Sequence, residues 1–229
     1  SLPLTSGYSE TWENIGSVKN KGFEATINAT PIQTKDFTWN VNANVSYNKN
    51  EITELYNGIT EYVASDTGRM VAVGHPLGEF YLNRYAGVNP TNGDALWYTK
   101  DGEITTEYNE SDKVMLGKTH EAPWQGGFGT TLSWQGFSLS AQFTWVADRW
   151  MLNNDRVFQE SNGLFSAYNQ SKRMLYDRWK KPGDVTDIPR YGVTPQLDSR
   201  FLEDASFLRL KNLMLSYTFP QKWLQRTNF

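Results

Sequence analysis

Residues 37–48, FTWNVNANVSYN, alternate without a slip: Phe, Trp, Val, Ala, Val and Tyr at odd positions, and Thr, Asn, Asn, Asn, Ser and Asn at even ones. Successive side chains of a β-strand point to opposite faces, so this stretch makes a ribbon that is apolar on one side and amide-rich on the other. The apolar side must leave water. Strands in a soluble sandwich usually run about 5–6 residues, whereas a tilted strand crossing a bilayer needs about 9–11. The length of this one favours a membrane wall and leaves a sandwich core open.

Six further segments read as strands by the same criterion. GFEATINAT (22–30) and FSLSAQFTW (137–145) alternate as cleanly, GFGTTLSW (127–134) and NLMLSYTF (212–219) nearly so, and EFYLNRYAGV (79–88) and DALWY (94–98) do not show which face is apolar. The connections alternate too: PIQTKD, NPTNG and QG have tight-turn chemistry, while 49–77, 100–122 and 147–205 are long. Short turns at one end and long loops at the other are the order of an outer-membrane barrel. Aromatic residues follow it, with Phe37, Trp39, Trp134, Phe137, Tyr217 and Phe219 beside the short turns and Tyr47 and Trp145 beside the long loops, as in two interfacial belts. In the longest loop, AYNQSKRMLYDRWKKPGD predicts a short helix carrying Met174, Leu175 and Trp179 and ending at Pro182 and Gly183.

Composition decides which membrane architecture is possible. Aromatics make up 14% of the 229 residues, including nine Trp, yet the mean hydropathy is −0.60. No helix of such a chain spans a bilayer, but a barrel strand is half polar by construction. A net charge of −3 offers no basic stripe for nucleic acid. With no cysteine there is no disulfide, thiolate metal site or cysteine nucleophile. KDGEITTEYNESD has acidic residues near Gly102, but an EF-hand register puts Trp97, Thr99 and Tyr108 at ligand positions. His75 and His120 read as loop histidines with no partner at ligand spacing. No G-x-S-x-G occurs, the glycines 126–129 lack a phosphate-cradle context, and Glu203 and Asp204 alternate faces in an extended chain, so no enzyme and no cofactor is expected. The sequons at Asn28 and Asn44 lie inside strands and read as lumen-facing amides.

NKGFEATINATPI, FTWNVNANVSYNKNEITEL, GHPLGEFY, DGEI, RWKKPGDVTDIPR and FLEDASFLRLKNLMLSYTFP, in this order, resemble the C-terminal part of the barrel in SusC/RagA-type TonB-dependent outer-membrane transporters. The resemblance implies an all-β fold, with residues 1–229 one portion of an antiparallel transmembrane barrel of about 22 strands. It also implies outer-membrane uptake of glycans or peptides in a Bacteroidota-type envelope, with outer-membrane lipid around the wall, a SusD-like lipoprotein as lid and TonB as energy source. A plug domain and closing strands belong to the family, so the chain is expected to be a fragment cut at Phe229, unable to form a closed barrel by itself.

The loops hold the candidate contacts. Trp150, Asn153, Asn154 and Asp155 combine an aromatic with amides that suit sugars or peptides; Trp150 equally suits an anchoring role in the loop beside the 174–179 helix. A second architecture, a soluble or surface β-sandwich carbohydrate-binding module, would use Trp97, Tyr98 and Trp124.

Overall fold

The computed structural model describes residues 15–64, 68–165 and 167–221; the expected cut at Phe229 lies outside them. Five long strands form one antiparallel sheet, the wall: β1 (Gly16–Gln33), β2 (Phe37–Leu55), β10 (Trp124–Trp134), β11 (Phe137–Ala147) and β14 (Phe207–Tyr217), neighbours in that order. The other strands lie in two long connections. Residues 56–123 contain β3 (Glu61–Ala64), β4 (Arg69–Ala72), β5 (Glu79–Leu82), β6 (Arg84–Val88), β7 (Ala95–Tyr98), β8 (Ile104–Thr105) and β9 (Val114–Thr119). Residues 148–206 contain β12 (Trp150–Leu152), the short helices α1 (Asn154–Gln159) and α2 (Lys172–Tyr176), and β13 (Leu202–Asp204).

Two sequence expectations are corrected here. Segments 79–88 and 94–98 are not wall strands: they form β5, β6 and β7, each four or five residues long, in separate four- and three-stranded sheets. NPTNG is therefore a turn inside a loop, and 49–77 and 100–122 belong largely to a single connection that follows β2. The ambiguous polarity of these segments has a physical cause, since β5 is buried on both faces (Glu79 on one, Phe80 and Leu82 on the other), β7 is buried on one face and half-buried on the other, and β6 is half-buried throughout, so no face is fully exposed. The predicted helix shrinks to Lys172–Tyr176, capped by the Ser171 side chain. Met174 is buried there, whereas Leu175 is 63% exposed and Trp179 falls beyond the helix.

Wall register is continuous apart from shifts at Ser17/Val18 and Ala29/Ile32 in β1 and beside Gln142/Phe143 in the β11–β14 pair. On the apolar face the cross-strand rows run Phe23–Tyr47–Trp124, Ile27–Ala43–Phe128–Phe143–Leu210, Ala29–Val41–Thr130–Ala141–Leu213, Trp39–Leu132–Leu139–Leu215 and Phe37–Trp134–Phe137–Tyr217. The opposite face carries Thr26–Asn44–Gly127–Thr144–Arg209, Asn28–Asn42–Gly129–Gln142–Asn212 and Thr38–Ser133–Ser138–Ser216. Two irregularities have local causes. Pro31, which has no N–H to donate, sits where the β1 register shifts between Ala29 and Ile32. The β10–β11 hairpin closes through Gln135 and Gly136, both at positive φ (46° and 90°), the two-residue geometry that matches strand twist and that glycine adopts at no steric cost.

Nothing among the described residues covers the apolar face. Phe128 and Leu139 have a strand on each side and are still 41% and 40% exposed, so a whole layer is missing over the face rather than a neighbour at an edge. A sandwich would place a second sheet there, and the soluble-module alternative lacks it. Buried apolar side chains lie elsewhere, at the top of β2 (Ile52, Leu55) and within the two connections (among them Leu82, Trp97, Met174, Ile188, Phe201 and Leu202).

Candidate functional site: the cap over the wall

The two connections fold into one cap. The Tyr85 N–H donates to Ser199 Oγ (2.9 Å) and the Ser199 N–H to the Asn83 carbonyl (3.0 Å). Trp97 Nε1 donates to Asp198 Oδ2 at 2.8 Å, 101 residues along the chain. Arg190 Nε meets Asp94 Oδ1 at 2.9 Å, and the Arg190 N–H reaches the Gly93 carbonyl at 2.8 Å. Phe80 and Leu82 of one connection pack with Leu202 of the other. Leu82 and Phe201 are fully buried.

Charge is satisfied within the second connection. Glu160, 1% exposed, accepts from Arg156 Nε (3.0 Å) and Arg173 Nη1 (2.7 Å); Arg156 Nη1 reaches Glu203 at 2.9 Å and Arg173 Nη2 reaches Asp187 at 2.6 Å. The Arg156 guanidinium and the Asn153 amide hold the Glu203 carboxyl below its ordinary range. Burial pushes Asp198 the other way, opposed by Arg200 and the Trp97 hydrogen bond. Such a network holds the second connection in one arrangement, because an unpaired buried charge costs several kcal/mol, about 3–5 in measured cases.

The cap sits on the polar side of the wall. Asn50 and Ile52 continue the even-numbered face of β2: Asn50 receives the Leu77 N–H (2.6 Å) and donates to Glu121 (2.6 Å), while Ile52 packs with Leu55 and Val71. At the top of β2 and β10, where the cap meets the wall, lies a cavity of about 360 Å³ lined by residues of both faces, Tyr47, Lys49 and Trp124 from the apolar side and Asn50 from the polar side, together with Glu79, Glu121 and Asp148. Glu79 is not free there, since His75 Nδ1 lies 2.9 Å from one oxygen and the Gly117 N–H 2.7 Å from the other. His75 thus has a carboxylate partner four residues on, which corrects the reading of it as unpartnered. No group of metal-ligating side chains occurs among the described residues.

The seven candidate residues are not brought together. Trp97 is 5% exposed and packed edge-on against Tyr85 and Tyr108, and the Arg84 guanidinium lies over the Tyr98 ring. Trp124 begins β10 and packs at a tilt against Tyr47, ring centroids 4.5 Å apart, and edge-on against Phe23 at 5.8 Å. Trp150 packs on the Phe80–Leu82–Leu202 cluster with Lys118 Nζ 3.4 Å above its ring, rather than beside α2. Asn153 caps α1, accepting from the Arg156 N–H and donating to Glu203. Asn154 and Asp155 are exposed on α1, and Asp155 borders a shallow depression with Phe158, Gln159, Tyr168 and Asn169. Asp198 escaped sequence reasoning because its Trp97 partner lies 101 residues away, whereas Glu160 and Glu79 each have one partner four residues back, Arg156 and His75, and others that are distant, Arg173 and the Gly117 N–H. The available local signals were the i,i+4 pairs His75–Glu79 and Arg156–Glu160 and Asp198 at the N-cap of the 3-10 turn Ser199–Phe201.

No protein-family model matches the chain. TonB-dependent receptor P3 of Formosa agariphila is 28% identical over 249 aligned positions, covering 99% of this chain and 24% of its own length. TonB-dependent receptor SusC of Bacteroides thetaiotaomicron is 28% identical over 239 positions, covering 94% of this chain and 22% of its own. A solved structure of the RagAB peptide transporter superposes with a TM-score of 0.88 at 37% identity, over 96% of this chain and 25% of that one. This chain spans about a quarter of the length of each relative.

Proposed function

Because this chain carries the sequence and fold of a portion of the transmembrane barrel of SusC/RagA-type TonB-dependent receptors, we propose that it serves outer-membrane nutrient import, with its five wall strands lining the passage and its cap shaping the external mouth. The cargo is a glycan or a peptide, a SusD-like lipoprotein closes over the cap, and TonB supplies the energy. No bond is made or broken.

One observation carries the reading: polar rows line one face of the wall, uncovered apolar rows the other, and the cap leans over the polar side. Along β2, Phe37 and Tyr47 mark the two aromatic ends of the apolar face. Ten residues at about 3.3 Å each, tilted by about 40°, span roughly 25 Å, the height of a barrel's apolar band. Asn154 and Asp155, exposed on the cap, are proposed cargo or lid contacts, as is the half-buried Tyr98. Trp97, Trp150 and Asn153 are proposed to act beneath them, keeping the cap in shape.

The test removes the full-length transporter and measures growth on peptides and on polysaccharides as sole nutrient, and asks whether a tagged transporter co-purifies a surface lipoprotein. Loss of growth on one of the two, with a lipoprotein recovered, is the expected result. Undiminished growth on both together with no co-purifying lipoprotein would overturn the reading.

A further inference from the structure

Above the upper aromatic row the wall carries a single-signed level. Lys21 and Lys49 are direct cross-strand partners in an unbroken part of the β1–β2 ladder, two residues beyond Phe23 and Tyr47 and therefore on the same face. Both are exposed. Like charges placed directly opposite each other weaken a strand pair, and neither ammonium has a carboxylate within 4 Å among the described residues. Lys49 borders the cavity that Glu79, Glu121 and Asp148 also line, and the acidic side chains around the two lysines each have a partner of their own. Glu24 turns to the opposite face and accepts from Ser46, Glu121 is taken by Asn50, Asp148 accepts from Trp150, and Glu51 sits one level further out, opposite Lys19.

We propose that the Lys21–Lys49 row binds the phosphate of an anionic lipid headgroup in the outer leaflet, with Phe23, Tyr47 and Trp124 packing against the chains just below it. The inference rests on the membrane placement proposed above. Three features argue for this occupant. Aromatic rows sit at headgroup depth, so the lysines one level higher sit where lipid phosphates are. Long lysine stems cover apolar surface while their ammonium groups reach polar headgroups. An anion between two facing ammonium groups turns their repulsion into attraction, which a zwitterionic or neutral occupant does far less well.

The experiment uses the full-length transporter in phosphatidylcholine nanodiscs doped with lipid A, and counts lipid A retained per protein after detergent exchange. Lys21→Gln or Lys49→Gln should each lower retention about fivefold, the effect of losing one lysine at an anionic surface, and the double variant further; Lys180→Gln, exposed on the cap, should not. Heat-modifiable mobility shows that each variant is folded. Equal retention by the double variant and the parent overturns the proposal, as does inorganic phosphate that strips lipid A as completely as the substitutions do. A nitroxide placed at position 43 separates the two levels of inference: if oxygen does not reach it preferentially, the membrane placement is at fault, and if oxygen does and retention is still unchanged, only the lipid site is.

Discussion

Wall and cap are built from one chain on opposite principles. In the wall, Ile27, Leu213 and Leu215 are 66%, 62% and 71% exposed, and cohesion comes from the hydrogen-bonded ladder; in the cap, Leu82 and Phe201 are fully buried and Glu160 is 1% exposed, as in a soluble core. The wall is made to be finished by lipid, the cap by itself. A barrel needs no internal core because the bilayer accepts its apolar face, whereas a loop of more than 50 residues at the surface meets water and must bury its own apolar side chains. Folding the two connections into one body makes each the other's core.

The comparison is broken most strongly by the same substitution in the two regions. Leu82→Ala removes a fully buried side chain and leaves a cavity, for which about 2–5 kcal/mol is expected, read as faster hydrogen exchange across the cap. Because Leu82 packs on Leu202, exchange should also rise in residues 199–204 of the other connection; an effect confined to residues 68–99 would show that the loops fold separately. Leu213→Ala should cost less, since lipid fills the space and the cavity contribution disappears, and it should leave cap exchange unchanged.

A smaller effect discriminates the two faces of the wall itself. Val41 lies in a row midway between the aromatic ends, on the apolar face, with Asn42 next to it on the polar one. Arg at position 41 should lower barrel stability by about 2–4 kcal/mol, and Arg at 42 by much less, measured by urea titration of the full-length protein in lipid. Equal costs would mean that the faces are assigned wrongly.

The smallest effect is a pH dependence confined to the cap. Glu203 is held below its ordinary value of 4.5 by Arg156 and Asn153, so its contribution is complete above that value and is lost as pH falls through the lower folded value. Asp198 is raised above its ordinary 3.8 by burial, so protonation there relieves a buried charge and has the opposite sign. Acidification below about pH 4.5 should therefore loosen residues 153–156 while the Trp97–Asp198 contact holds, seen by residue-resolved exchange. Loosening at Trp97 first would contradict these assignments.

The wall strands were legible in the amino-acid order because a membrane-crossing strand repeats every two residues with one face apolar, and β2, β10 and β11 obey that rule over nine residues or more, while β14 changes parity at its bulge, from Leu208 and Leu210 to Leu213 and Leu215. Which strands neighbour one another was not. The segments 79–88 and 94–98 looked like wall because short strands buried or half-buried on both faces carry no clear polarity pattern, and only their pairing inside the cap excludes them. Candidate contacts fared likewise: aromatic and amide side chains could be picked out, but whether Trp97 faces a ligand or Asp198 depends on a residue 101 positions away. By itself, then, the sequence determined a ribbon with one apolar and one polar face and a resemblance to a transporter family, since strand period and local motifs are written in neighbouring residues. The tertiary structure alone decided that two distant loops make one cap over the polar face, because buried hydrogen bonds and ion pairs are satisfied between residues that no local pattern relates.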